Sequence, residues 1–196
     1  MPENRPTAIV YIDGLNLYRQ RLKGKNHLKW LDPFLLAQQL YPDIEILEVH
    51  YFGALIRTTN SNSEPALRQQ MYLKAIEQYS NSVTIHLGKM RQDVRRYPSH
   101  PITIKADGSV ETLKVVKLEE KGTDVAIAAH LIADVAQARA DTYVLISNDS
   151  DFEPLIALAH NRFHANSLRI DSRTLSEEIL TNSQFTSLEG KPRTWI

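Results

Sequence analysis

A chain of 196 residues, 42% of them apolar, is most simply one domain (1–196) able to bury a full core. Its 23 basic and 23 acidic residues cancel, so net charge does not steer it to nucleic acid, and any such role needs a local basic patch. The absence of cysteine excludes disulfides, thiolate zinc sites and a cysteine nucleophile. The opening MPENRPTAIVYID lacks the basic, apolar and small-residue order of a signal peptide, and no apolar run approaches the roughly 18 residues of a membrane span. A cytoplasmic protein without a membrane partner is expected.

Thr7 to Ile12 is apolar and rich in β-branched residues, which predicts a central strand buried on both faces. Gly14 opens a turn, and Leu15 to Leu22 reads as helical. Asp32-Pro33 marks a helix start, with proline at the first helical position and Pro42 as the stop. Ile44 to Phe52 alternates like a second strand. A polar loop over Thr58 to Ser63 leads to Glu64-Pro65 and a helix reaching Tyr79, with Leu67, Met71 and Ile76 expected inward. Ser82 to Leu87 is the third strand.

Gly88 to Glu120 differs in character. Lys89, Arg91, Arg95 and Arg96 crowd with Tyr97 into an expected basic loop. ITIK-ADGS-VETLKVVKL then predicts a β-hairpin around 100–119, turning at Asp107-Gly108, as an excursion from the sheet. From Asp124 the period becomes helical, with Val125, Ala128, Leu131, Ile132 and Val135 on one face. A strand over Thr142 to Ile146, a helix over Phe152 to Asn161, a strand over Ser167 to Ile170, a helical turn over Leu175 to Leu180 and a tail over 182–196 complete the chain. This alternation indicates an α/β fold, a doubly wound and mostly parallel sheet flanked by helices.

Asp13, Asp124, Asp149 and Asp151 each stand where an apolar run ends or a helix begins. In parallel α/β sheets ligands collect at the carboxyl ends of strands. Neighbouring parallel strands lie roughly 4.8 Å apart, so carboxylates ending two of them can share one ion. Clustered acids raise one another's pKa, and a hard divalent cation such as Mg²⁺ or Mn²⁺ relieves the repulsion. Such a site activates water and stabilises phosphoryl oxygens, which makes phosphodiester hydrolysis its natural chemistry. A purely structural reading stands beside this one. Asp124 and Asp151 can be helix caps and Asp149 a turn residue, whereas a carboxylate directly after a buried strand, as at Asp13, needs a partner.

Tyr11-Ile12-Asp13-Gly14-Leu15-Asn16-Leu17-Tyr18 resembles the opening motif of the NYN domain, a branch of the PIN-like nuclease superfamily. Lys121-Gly122-Thr123-Asp124-Val125 resembles its middle motif, and Leu145 to Leu155, with Ser147-Asn148-Asp149-Ser150-Asp151, its third. The tail Asn182-Ser183-Gln184-Phe185, with Lys191-Pro192 and Trp195, is similar to the ending of some members. The resemblance implies a PIN-like, Rossmannoid sheet with Mg²⁺ or Mn²⁺ at its acidic edge, cleavage of RNA by water, and a homodimer. It makes Asp13, Asp124, Asp149 and Asp151 the metal-binding or catalytic acids, with Asn16 and Ser147 as supporting polar residues near metal or phosphate. Two departures stand out. His130 occupies the position, six residues past Asp124, where many relatives carry an acid, which leaves one ion or two open; Asp134 lies a turn further on. Asn148 replaces a common glycine, a change left-handed turns tolerate.

Lys89, Arg91, Arg95, Arg96 and Lys105 could line a phosphate path, with Tyr97 stacking on an unpaired base. Equally, they could form surface salt bridges with Asp93 and nearby acids. Arg57 and Arg68 are weaker candidates of the same kind. His130 reads either as a ligand or proton shuttle or as a helix-face residue, whereas His86, His100 and His164 read as incidental. No G-x-S-x-G and no G-x-x-x-x-G-K-[ST] occurs, so neither a serine nucleophile nor ATP use has support. The reading is a metal-dependent ribonuclease. Its rivals are a non-catalytic RNA-binding regulator and, from Asp149-Ser150-Asp151 as a D-x-D pair, a sugar-nucleotide transferase.

Overall fold

The computed structural model describes residues 5–56, 63–80 and 82–185. Arg57, most of the polar loop after it, Lys191-Pro192 and Trp195 lie outside the described residues.

Six strands form one sheet in the order β4-β3-β2-β1-β5-β6. Strands β1 (Thr7–Asp13), β2 (Glu45–Ala54), the first part of β3 (Val83–Pro98), β5 (Thr142–Ile146) and β6 (Asn166–Ile170) run parallel. The chain builds outward from β1 in one direction and then, through β5 and β6, in the other. The order therefore reverses between β1 and β5, and the crevice beyond their carboxyl ends is the switch point where such sheets bind ligands.

Alternation along β1 explains the two layers. Ala8, Val10 and Ile12 face one side and pack with Leu36 and Ala37 of α2 (Pro33–Leu40) and Leu180 of α6 (Glu177–Asn182). Ile9 and Tyr11 face the other, against Ile127 and Leu131 of α4 (Thr123–Ala136) and Leu155 and Ala159 of α5 (Glu153–Phe163). All of β1 from Ala8 to Asp13 is buried, as its apolar run predicts. Asp32 caps α2 by accepting from the Phe34 and Leu35 amides, the start that Asp-Pro indicates.

Two inward faces differ from expectation. In α3 (Glu64–Tyr79) the buried residues are Ala66, Leu73, Ala75 and Ile76, while Leu67 and Met71 are exposed. The inward stripe includes Gln69, which bonds the Ala54 carbonyl and the Ile56 amide, and Tyr72, whose hydroxyl donates to the Leu31 carbonyl at 2.8 Å. A hydrophobic pattern does not count such residues as inward. In α4, Val125 is 74% exposed, and the packed stripe is Ile127, Leu131, Asp134 and Val135.

The expected basic loop is a strand. β3 continues beyond Gly88, where it leaves β2, and pairs antiparallel with β4 (Thr112–Lys121) from Lys89↔Lys121 to Pro98↔Thr112. The result is a two-stranded arm of about 34 Å. The hairpin excursion is real, but its first strand is Lys89–Pro98, and residues 101–111 form its tip. There Asp107-Gly108 makes the turn, closed by Gly108 N–H to the Lys105 carbonyl and an Ile104↔Val110 bridge. The pairing crosses a long sequence separation, so no local signal announces it.

Candidate functional site: an acidic cleft at the switch point

Asp13 ends β1 and caps the short α1 (Gly14–Leu17), its Oδ1 accepting from the Asn16 amide at 3.0 Å. The turn is tight. A Cβ on Gly14 would lie 2.3 Å from the Tyr51 ring and 2.8 Å from the Phe52 carbonyl, so only glycine lets the chain turn here. The helical path continues through Tyr18–Leu22 as a wider π turn.

Ser147, fully buried after β5, ties the two strand ends together. Its hydroxyl donates to Asp13 Oδ2 (3.0 Å) and accepts from the Asp149 amide (3.2 Å). Asp149 in turn caps the turn Ser150–Phe152, its Oδ1 accepting from the Asp151 amide at 3.0 Å. The expected turn role of Asp149 is thus present, and it leaves Oδ2 available.

Asn16 is a fastener. Its Oδ1 accepts from the Asn148 amide (3.1 Å) and the Ser172 hydroxyl (2.6 Å), while its Nδ2 donates to Asn148 Oδ1. These bonds hold the opening motif to the third motif, and Asn16 itself lines the cleft beside Asp13.

Asp124 comes from α4. Gly122 precedes that helix with φ +92°, a left-handed conformation that suits glycine and aims the helix start at the strand ends. Asp124 sits at the second helical position. Among the described residues its carboxylate accepts no hydrogen bond, so it is not serving as a cap.

Asp13, Asp124 and Asp149 line one cleft of about 470 Å³, with Glu120, Arg19, Lys117 and Lys121 on its walls. Asp151 is exposed at the rim, and its charge reaches Asp124. Lys89, Arg91, Arg95 and Arg96 do not line the cleft and lie along the arm. Arg91 and Arg95 bond Asp93 at 3.0 and 3.4 Å, the surface pairing foreseen as the alternative to a phosphate path. Sequence alone does not single out Glu120 or the cleft's basic residues. The available signal is adjacency, since Glu120-Lys121 leads directly into Gly122-Thr123-Asp124.

The electrostatics are those of crowded acids. Burial pushes the Asp13 carboxyl up to about 6, opposed by its bonds from Asn16 and Ser147 and reinforced by Glu120 and Asp124. Burial also raises Asp124, with Asp149 and Asp151 adding to it. The all-oxygen donor set and its mutual repulsion fit a hard divalent cation.

His130 does not join this cluster. It packs against His86, with ring centroids 4.2 Å apart, and against His50 and Phe52. Asp134 also points elsewhere, accepting from Tyr11 Oη at 2.6 Å and Arg139 at 2.7 Å. Among the described residues no helix is long and apolar enough to cross a membrane.

The chain is 24% identical over 175 residues to 6-hydroxy-3-succinoylpyridine 3-monooxygenase HspA of Pseudomonas putida (strain DSM 28022 / S16), covering 76% of this chain. It spans about half of that relative, 54% of its length. The crystal structure of a protein of unknown function from Vibrio parahaemolyticus RIMD 2210633 superposes with a TM-score of 0.50 at 15% identity, covering 94% of this chain and 93% of that one, which shows a shared fold. The NYN domain model matches residues 7–189, nearly the whole sequence, and the chain belongs to the NYN family.

Proposed function

We propose that the protein is a metal-dependent ribonuclease that hydrolyses RNA phosphodiester bonds in the acidic cleft. The observation that carries this reading is the Ser147 bridge, which holds Asp13 and Asp149 together at the switch point with Asp124 in the same cleft. Family membership supports it, because NYN domains are PIN-like and generally nucleases with divalent-metal dependence.

Asp13, Asp124 and Asp149 would hold Mg²⁺ or Mn²⁺, with Asp151 and Glu120 at the margin. When bound, such an ion polarises a phosphoryl oxygen and makes a coordinated water more acidic. The chain's own groups do the rest. Asp124, beside Asp151, completes the donor set and orients the attacking water. Ser147, fully buried, positions the Asp13 and Asp149 carboxylates, and Asn16 supports Asp13 through its amide from the cleft wall. Arg19, Lys117 and Lys121 on the cleft wall bind the phosphates flanking the scissile bond. Lys89, Arg91 and Arg95 extend that path along one face of the arm, with Tyr97 on the same face for stacking, while Arg96 lies on the other face.

The test is cleavage of a mixed single-stranded and structured RNA pool in Mg²⁺, Mn²⁺ or EDTA, comparing wild type with Asp149→Asn. Metal-dependent cleavage lost in the variant supports the proposal. No cleavage with tight RNA binding by both proteins replaces it with the non-catalytic RNA-binding reading. Neither cleavage nor RNA binding removes RNA altogether and leaves the fold as host to another chemistry, of which the monooxygenase name of one relative is an instance.

A further inference from the structure

On the same sheet face as Asp13, His50 of β2, His86 of β3 and His130 of α4 converge. Their ligand nitrogens all lie within 4.8 Å of one another. In the strand register Tyr11 faces His50 and Phe52 faces His86, so His86 is the diagonal neighbour of His50. The helix then lowers His130 onto both. Phe52 stacks on His86 (4.5 Å, 15°) and Tyr11 on His50 (5.2 Å, 19°), walling the cluster with aromatic rings.

The protons decide what the cluster can do. His50 Nδ1 lies 2.9 Å from His86 Nε2. His50 Nε2 is buried without a hydrogen-bond partner, and its nearest acceptors are Asp134 Oδ2 at 3.5 Å and Glu48 Oε2 at 3.7 Å. Both carboxylates are anchored, Asp134 by Tyr11 and Arg139, Glu48 by Thr84 and Arg139. They favour the tautomer with the proton on Nε2, which leaves the Nδ1 lone pair directed at the other histidines. A carboxylate behind an imidazole that presents its other nitrogen inward is the usual support of a metal-bound histidine. Burial holds His50 below the ordinary imidazole range and His86 at about 4, so both are neutral at pH 7; the hydrogen bond between them gives way, by a tautomer shift of His86, when an ion takes their lone pairs.

We infer that His50, His86 and His130 form a second metal centre, separate from the acidic cleft and selective for a zinc-class ion. Three imidazoles suit Zn²⁺, Co²⁺, Ni²⁺ or Cu²⁺ and not Mg²⁺. Nitrogens of a tetrahedral zinc site lie about 3.3 Å apart, from metal–nitrogen distances of about 2.05 Å. The present span of up to 4.8 Å closes with small side-chain rotations, to which the partly exposed His86 and His130 are free. Three protein ligands leave a fourth position for water. The inference does not rest on the ribonuclease reading.

The test is calorimetric titration of the EDTA-stripped, dialysed protein with ZnCl₂, and a visible spectrum with CoCl₂. Wild type is compared with His86→Gln, His130→Gln and Asp149→Asn, each checked for folding by circular dichroism in EDTA. The expected result is one equivalent of Zn²⁺ bound, insensitive to excess Mg²⁺, with tetrahedral Co²⁺ bands. Either histidine variant weakens binding at least about 100-fold, and Asp149→Asn leaves it intact. His130→Gln changes a partly exposed helix residue, so it decides the matter alone if His86→Gln does not fold. No zinc binding by folded wild type overturns the inference. So does binding that survives in folded histidine variants, or binding lost in Asp149→Asn.

Discussion

The acidic cleft and the histidine cluster lie on one face of the same sheet, with Asp13 on β1, His50 on the neighbouring β2 and α4 carrying both Asp124 and His130, and burial acts on them with opposite sign. It raises the carboxyl of Asp13 to about 6, so the cleft carries repulsion that a cation relieves. It lowers His86 to about 4 and His50 below its ordinary range, so these two rings are uncharged at neutral pH and do not repel each other. One sheet thus offers a hard oxygen site and a softer nitrogen site in adjacent positions. They are assembled differently. The acids come from strand ends and a helix start, fastened by Asn16 and Ser147. The histidines come from strand and mid-helix positions, with Asp134 and Glu48 behind His50 alone, at 3.5 and 3.7 Å.

The largest expected effect separates the two regions by function. Asp149→Asn keeps a capping side chain for the Asp151 amide and removes one charge from the cleft. RNA cleavage is expected to fall by at least about 100-fold, the loss typical when a preorganised charged group is removed from a transition state. Zinc binding stays unchanged in the same preparation. Rates on a labelled RNA with Mg²⁺, measured beside the zinc titration, check both. Equal loss of cleavage and zinc binding would make the two regions one site.

This contrast also explains what could be read from the sequence. Thr7 to Ile12 and Thr142 to Ile146 are buried runs whose composition is their own evidence, and the acids that follow them inherit that legibility. Asp32-Pro33 announced its helix because capping is local. The inward face of α3 could not be read, since Gln69 and Tyr72 face the body through hydrogen bonds to backbone. Lys89 to Pro98 reads as a loop in the sequence because its partner, Thr112 to Lys121, arrives only after a long tip. His50, His86 and His130 meet only once strand register and helix docking are set; in the sequence His130 alone stands out, as a ligand or a helix-face residue, and His86 reads as incidental.

A second experiment uses the opposed signs in metal-free protein. For Asp13 the folded pKa of about 6 lies above the ordinary 3.8, so its contribution favours folding at low pH and is lost as pH rises through that window. For His86 the folded value of about 4 lies below 6.5, so its contribution favours folding at neutral pH and is lost as pH falls from 6.5 toward 4. In EDTA the two trends oppose each other. Asp13→Asn is expected to stabilise the metal-free protein at pH 7 by on the order of 2 kcal/mol, from a shift of about two pKa units. It also makes the loss of stability on acidification steeper than in wild type. His86→Gln makes that loss shallower. Melting temperatures from pH 4 to 7 check this, and parallel curves for all three proteins would remove the contrast.

The smallest effect concerns the arm, where charge is abundant but partly spent. Alternation places Lys89, Arg91, Arg95, Lys117 and Lys121 on one face of the ribbon with Asp93 and Glu119. Asp93 bonds Arg91 and Arg95, and Glu119 holds Lys117 and Lys121. The basic partners are exposed while Asp93 and Glu119 are partly covered, and pairs at such a surface contribute little to stability, so removing Asp93 costs the fold little and frees cations for phosphate. Asp93→Asn is therefore expected to tighten RNA binding a few-fold and to steepen its salt dependence by about one unit or less of logarithmic slope, since each phosphate neutralised adds roughly 0.7 for a single strand. Arg91→Ala should do the reverse. Filter binding at several salt concentrations, with Asp149→Asn as the background so that RNA stays intact, checks both. Unchanged affinity in both variants would take the arm out of the RNA path and leave Arg19, Lys117 and Lys121 at the cleft wall as the phosphate contacts.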